Sequence, residues 1–211
     1  MPSIEREFRN MRPLEIVRSE EGTEPQYLVR GYATTFDDEY ELYNDGEYII
    51  KESIAPEAFR DTDMSDVVFQ YNHTGRVFAR TKNETLKLST DGHGLLVDAD
   101  LSKTSASRSL FEDIDAKLID QMSFAFVVST VERTTVEDTE ARTYTVHRRI
   151  TGIKKLYDVS AVDFPANPNT EISARSTIDG EIEMLKTERS LAQAKAEALA
   201  KLDSKSNEKE D

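Results

Sequence analysis

The chain has 211 residues, which is enough for one domain of ordinary size with a tail and for a sizeable apolar core. It carries 27 Lys and Arg against 41 Asp and Glu, and the formal net charge of -14 repels phosphate backbones and anionic lipid, which excludes nucleic acid and membranes as expected partners. The absence of cysteine excludes disulfides, thiolate metal sites and a cysteine nucleophile.

Short strand patterns follow one another through the first half of the chain. Residues 27–36 are apolar and β-rich and predict a strand, whereas the acidic run over residues 37–47 predicts a solvated loop. Residues 55–62 have a proline where a helix could begin, and they predict a short helix or turn. Five more short strands are predicted at residues 47–51, 67–71, 77–81, 86–89 and 94–101.

The second half of the chain contains an amphipathic helix among further strands. Leu110, Ile114 and Leu118 recur every four residues, which predicts a helix over residues 105–118. Strand patterns resume at residues 122–131, 142–150 and 153–163. Many short strands with only one or two helices predict a largely antiparallel sheet or barrel.

The last part of the chain differs in composition from the rest. From about residue 178 it is rich in Ala, Glu and Lys, with apolar residues at spacings of three and four. This pattern predicts an exposed helix or a weak coiled coil. A solvated helix that frays into the tail SKSNEKED, and a helix used for oligomerisation or docking, are both compatible with it.

Ser123 is the first candidate for chemistry, because it is a small hydroxyl in the strand pattern LIDQMSFAF. Alternation places Met122 and Phe124 on one face of the strand and Ser123 and Ala125 on the other, where a hydroxyl beside small side chains is sterically open. A serine nucleophile also needs a base within hydrogen-bond reach. The alternative is an ordinary buried hydroxyl that is satisfied by its neighbours.

Three histidines could provide that base. His73 ends an apolar strand at a turn, where its ring can lie across a sheet face and remain within reach of a substrate. His93 lies in the turn sequence DGHG, where exposure is the simplest expectation. His147 lies beside Arg148 and Arg149, whose charges disfavour the imidazolium that a general base must become. We therefore favour His73, although an ordinary turn residue is the alternative.

Asp158 is the candidate acid, because it interrupts the apolar strand pattern LYDVSAVDF, whereas most other acids lie in exposed clusters. Its carboxylate could reach a histidine on a neighbouring strand. An edge charge that limits aggregation is the alternative. The sequence contains no glycine-rich phosphate loop, no HExxH and no G-x-S-x-G motif, so spacing alone leaves the function open.

Several segments, in order, resemble one known family. Their sequences are RGYATTFD at residues 30–37, ESIAPEAF at 52–59, VVFQYNHTGRVFART at 67–81, QMSFAF at 121–126 and LYDVSAVDFPANPNT at 156–170. Together they are similar to the tailed-phage prohead proteases, serine peptidases that are related to herpesvirus assemblins. The chain departs from the family pattern at three positions: Glu57 and Ala125 replace usual glycines, and Asp158 replaces a usual glutamate.

The resemblance implies the roles of the site residues and the fold. Ser123 would be the nucleophile, His73 the general base and Asp158 the third member, with no cofactor and no metal ion. The resemblance does not identify the oxyanion donors; from their position on a strand, Arg148 and Arg149 are possible contributors, with solvent-facing arginines as the alternative. The related fold is mainly β, a small and mostly antiparallel β-barrel flanked by a few helices with an extended C-terminal helix. Three parts are then predicted: a flexible N-terminal segment at residues 1–26, a protease β-barrel domain at 27–176, and a C-terminal helix with an acidic tail at 177–211.

The resemblance also implies the substrates and the compartment. The expected activity is serine endopeptidase cleavage of the major capsid protein, its scaffolding segment and this chain itself during prohead maturation, with self-association left open. The sequence shows no signal-like or membrane-spanning run, so a cytoplasmic protein is expected, and the resemblance places it in the host cytoplasm inside the immature capsid. A catalytically inactive scaffold or assembly module of the prohead is the alternative function.

Overall fold

Eleven strands and two α-helices occur in the computed structural model, which describes residues 7–17, 27–163 and 172–207. The helices are α1 (Ser105–Asp115) and α2 (Ile172–Asn207). Two short 3-10 turns cover Pro56–Phe59 and Thr81–Asn83. The strands are β1 (Glu7–Pro13), β2 (Glu15–Val17), β3 (Leu28–Thr35), β4 (Tyr40–Asn44), β5 (Tyr48–Ile54), β6 (Val68–Tyr71), β7 (Thr74–Arg80), β8 (Leu86–Thr90), β9 (Gly94–Asp100), β10 (Gln121–Asp138) and β11 (Thr143–Val162).

The described strands form two open sheets. The larger sheet has the order β1-β10-β11-β5-β4, and the hairpin of β6 and β7 joins it along β11. The smaller sheet has the order β2-β3-β9-β8. The mainly β, largely antiparallel prediction is confirmed, but the predicted barrel is not, because these sheets do not close into one ring.

Strand β11 organises the larger sheet, because it has a different partner at each end. Its first part pairs in parallel with β5, and its last part pairs in parallel with β6. The two strands predicted at residues 142–150 and 153–163 are therefore one continuous strand. The β10–β11 ladder changes register near Gly152, where a β-carbon would overlap the side-chain oxygens of Thr130 and Ser129. A glycine at this position lets the long strand pass through the irregularity without breaking.

One hydrophobic core lies between the inner faces of both sheets and α1. Leu110 and Ile114 pack into it, as the helical period predicted. Leu118 does not, since it is 70% exposed. The helix ends at Asp115 and Lys117 has a left-handed φ of 61°, which turns the chain away from the core before the predicted third position.

Helix α2 is attached to the larger sheet by apolar and charged contacts. Ile178 and Leu185 pack in a second cluster with residues of β4, β5 and β11. Beside this cluster, Arg133 pairs with Glu181 at 2.7 Å, and the buried Arg148 lies 3.0 Å from the same carboxylate. Every side chain over residues 186–201 is exposed. None of the described helices is both long and apolar enough to cross a membrane.

Two predicted segments differ from the structure. The acidic run at residues 37–47 contains β4, which pairs with β5 and buries Leu42. Within the N-terminal segment predicted to be flexible, residues 7–17 form β1 and β2, because they pair with β10 and β3 respectively. Residues 18–26 and the tail after residue 207 lie outside the described residues, and the three-part domain division stays a prediction.

Candidate active site

Ser123 lies near the start of β10, in the interior of the larger sheet. Its register partners are Ser160 on β11 and Asn10 on β1. Met122 and Phe124 pack in the main core on the opposite face, as alternation predicted. The side predicted to be open is closed, because Ser123 and Ala125 have no exposed surface. The nucleophile candidate is therefore held by a rigid ladder and covered.

His73 occupies a strained position in the two-residue turn that joins β6 to β7. Asn72 and His73 have φ values of 50° and 56°, and Tyr71 pairs with Thr74 across the turn. Two consecutive left-handed residues define a type I′ hairpin turn, whose second position most often holds glycine. A histidine pays a steric cost there that glycine avoids. The turn is held against β11 by a hydrogen bond from the Asn72 N–H to the Ala161 carbonyl at 3.0 Å.

Ser123, His73 and Asp158 form one hydrogen-bonded chain. The Nε2 atom of His73 lies 2.6 Å from the Oγ atom of Ser123, and its Nδ1 atom lies 2.6 Å from the Oδ1 atom of Asp158. The carboxylate accepts from Nδ1–H, so Nε2 carries no proton and accepts from the serine hydroxyl. This tautomer is assigned from the hydrogen-bond network. The geometry is that of a nucleophile, a base and a group that orients the base.

Asp158 occupies an interior strand and is almost inaccessible. It pairs with Ala125 on β10 and with Val68 on β6, and its side chain is 4% exposed, compared with 13% for His73. The alternative of an exposed edge charge is therefore wrong. Although aspartate is one methylene shorter than the glutamate of the family pattern, it reaches the imidazole, because β6 pairs directly with β11 and brings the His73 turn beside it.

Ser160 is a site residue that the sequence analysis missed. Its hydroxyl donates to Oδ1 of Asp158 at 2.8 Å, and the residue is fully buried. The signal that could have found it is its position two residues after Asp158, which places both side chains on the same face of β11.

The other candidates lie elsewhere. His93 is exposed in its turn, edge-on to the Tyr32 ring, and His147 contacts Glu39. The structure does not bring Arg148 or Arg149 to the site, since they lie in the part of β11 that pairs with β5. This part is about 30 Å along the strand from Asp158 at 3.3 Å per residue.

Neither arginine is therefore placed to contribute to oxyanion binding at Ser123. Arg148 is also not solvent-facing, because it is buried against Glu52, with its Nη1 atom 2.5 Å from the carboxylate. Arg149 is about one-third exposed and pairs with Asp37 and Glu57. Within the described parts of the chain, no group of three or more His, Asp or Glu side chains is placed to hold a metal ion.

The comparison with protein families agrees with the resemblance seen in the sequence. A family model described as caudovirus prohead serine protease matches residues 14–184. The solved structure of the bacteriophage T4 capsid assembly protease superimposes with a TM-score of 0.44 at 15% sequence identity, covering 76% of this chain and 98% of that one. No curated protein matches the chain by sequence.

Proposed function

The chain belongs to the caudovirus prohead serine protease family, and on that premise we propose that it is a serine endopeptidase that cleaves the capsid and scaffold proteins of a tailed phage. Cleavage would occur inside the immature capsid in the host cytoplasm. The single observation that carries this proposal is the chain of two 2.6 Å hydrogen bonds from Ser123 through His73 to Asp158.

Each of the three hydrogen-bonded residues has its own role in the proposed mechanism. His73 takes the proton of Ser123 through Nε2, and the serine oxygen attacks the scissile carbonyl carbon to give an acyl-enzyme. His73 then donates that proton to the leaving amine. Asp158 keeps the proton on Nδ1 and offsets the positive charge of the imidazolium. A water molecule, deprotonated by His73 in the same way, then attacks the acyl-enzyme carbonyl carbon and releases the second product from Ser123.

Burial of Ser123 adds a step before the chemistry. A scissile carbonyl must come within about 3 to 3.5 Å of the attacking oxygen. The serine has no exposed surface, so the groups that cover it must move before a peptide can enter. Substrate access is therefore a conformational step in this proposal.

An activity-based probe tests the proposal directly. A fluorophosphonate should form a covalent adduct on Ser123, and the adduct should be lost in Ser123→Ala and His73→Ala. His93→Ala is the matched control, because it removes an exposed histidine that packs against Tyr32 outside the hydrogen-bonded triad, and its labelling should equal that of the wild type. Failure of the folded wild-type protein to react would instead favour an inactive scaffold or assembly module.

Self-cleavage is the second part of the proposal. The polar flanks at residues 1–24 and 179–211 are the expected sites, and residues 186–201 of α2 are already exposed. Concentrated wild-type protein should shorten at a terminus over time, measured by intact mass, whereas Ser123→Ala should keep its full length. Trimming that persists in Ser123→Ala would indicate a contaminating protease.

A further inference from the structure

Ser160 lies where the backbone places it directly beside the proposed catalytic residues. It faces Ser123 in the β10–β11 ladder and Gln70 in the β11–β6 ladder, so its main chain is held on both sides. It follows Asp158 by two residues on the same strand face. Its side chain is fully buried and has a single rotatable bond before the hydroxyl oxygen, so the donor position is set by the sheet.

The hydroxyl of Ser160 and the imidazole of His73 donate to the same oxygen atom. Oδ1 of Asp158 receives the serine hydroxyl at 2.8 Å and the Nδ1–H group at 2.6 Å. The terminal torsion of an aspartate is broad and roughly two-fold, so one hydrogen bond alone leaves the carboxylate freedom to rotate. A second donor anchored on the same strand removes that freedom. It also supplies a neutral partner to a carboxylate that burial has largely removed from water.

Ser160 and Ser123 contact different members of the site. The Ser160 hydroxyl proton is directed at Asp158, whereas the contact of His73 Nε2 is with Ser123. The two serines that face each other across the ladder therefore have different partners, the imidazole for Ser123 and the carboxylate for Ser160.

We propose that Ser160 is a positioning residue, which holds the Asp158 carboxylate in the orientation that keeps the His73 imidazole as the Nδ1–H tautomer. The inference rests on the proposed function. Ser160 acts through Asp158 and His73 and does not contact the reacting atoms. Without the Ser160 hydroxyl, the Asp158 carboxylate turns away from Nδ1 for part of the time. The Nε2–H tautomer then becomes populated, and it cannot accept the Ser123 proton.

The test compares Ser160→Ala with Ser107→Ala. Both variants remove a buried serine hydroxyl. Ser107 lies on α1 and donates to the carbonyl of Phe78 on β7 at 3.0 Å, so its hydroxyl is outside the hydrogen-bonded triad. Hydrogen bonds to charged groups are stronger than those between neutral groups. If that strength is lost from the transition state in Ser160→Ala, fluorophosphonate labelling of Ser123 should slow by about 10- to 100-fold. Labelling should change less than about twofold in Ser107→Ala, because that bond is not connected to the imidazole.

A second measurement needs no catalysis and so separates this inference from the proposed function. Long-range proton–nitrogen NMR of the His73 ring at alkaline pH should show the Nδ1–H tautomer in the wild type and in Ser107→Ala, and a mixture of both tautomers in Ser160→Ala. The same comparison can be made in the Ser123→Ala background. A wild-type protein that never reacts with the probe would overturn the proposed function alone. An unchanged tautomer in Ser160→Ala would overturn the positioning role, whatever the labelling rate.

Discussion

Replacing Asp158 with asparagine keeps the size of the side chain and removes its charge. The carboxylate lies 2.6 Å from Nδ1 of His73 and is buried, so its charge acts on the imidazole with little screening by water. The asparagine carbonyl can still accept from both the imidazole and Ser160. The substitution therefore removes the negative charge that stabilises the imidazolium formed during acylation.

The size of that contribution follows from the geometry. The charge centres of an imidazolium and a carboxylate in such a hydrogen bond lie about 4 Å apart, and at an effective dielectric constant of about 20 they attract by about 4 kcal/mol. Each factor of ten in rate corresponds to about 1.4 kcal/mol. We therefore expect Asp158→Asn to slow acylation of Ser123 by about a thousandfold.

The rate constant for fluorophosphonate adduct formation, followed by intact mass, measures this effect. Asp98→Asn is the matched control, because it removes a partly exposed carboxylate that pairs with Arg30 at 2.6 Å on the smaller sheet, and its labelling rate should stay unchanged. The electrostatic argument is refuted if Asp158→Asn reacts within tenfold of the wild type.

Three further predictions concern stability, pH and access. Glu52→Gln should lower the free energy of unfolding in urea by about 1.5 to 3 kcal/mol, because it removes the charge from the shortest ion pair of the buried Arg148, which keeps Glu181 at 3.0 Å, and an unchanged free energy would contradict this. Hydrogen bonds from Ser65 lower the pKa of Asp63 from 3.8 to about 2, so Asp63→Asn should reduce the thermal midpoint at neutral pH, and the difference should fade as the pH falls from about 4 to 2. A difference that persists at the acid end would show that the charge is not its cause. The labelling rate of wild-type Ser123 should level off at high fluorophosphonate concentration, because opening of the buried site becomes limiting, and a rate that stays proportional to probe concentration would show that the site is already open.

Local patterns were sufficient for most elements of the fold. Strand alternation located β3, β6, β8 and β9, and the four-residue period located α1. Both signals are carried by short continuous segments of the sequence. The helix end at Asp115 was missed by three residues, since nothing in the apolar pattern reveals the left-handed Lys117. The acidic strand β4 was missed because its stability comes from pairing with β5 and from α2 packing on Leu42.

The charged contacts around Arg148 were also outside the reach of the sequence. Sequence reasoning gave no partner for this residue, and the structure shows it buried, with Glu52 on β5 at 2.5 Å and Glu181 on α2 at 3.0 Å. The three residues are separated by long stretches of chain. Only the parallel pairing of β5 with β11 and the docking of α2 bring their charges together.

The sequence by itself determined the residue types of the candidate site and their order, because the strand pattern around Ser123, the turn at His73 and the interrupted strand at Asp158 are local features. Only the tertiary structure decided that these three side chains touch, that Ser160 joins them and that the site is covered. The physical reason is that a hydrogen bond requires the distance between donor and acceptor to be correct to within a few tenths of an ångström. Those distances are set by which strands pair and in which register. Ser123, His73 and Asp158 are 35 to 85 residues apart in the sequence, and the pairing that brings them together is a property of the whole sheet.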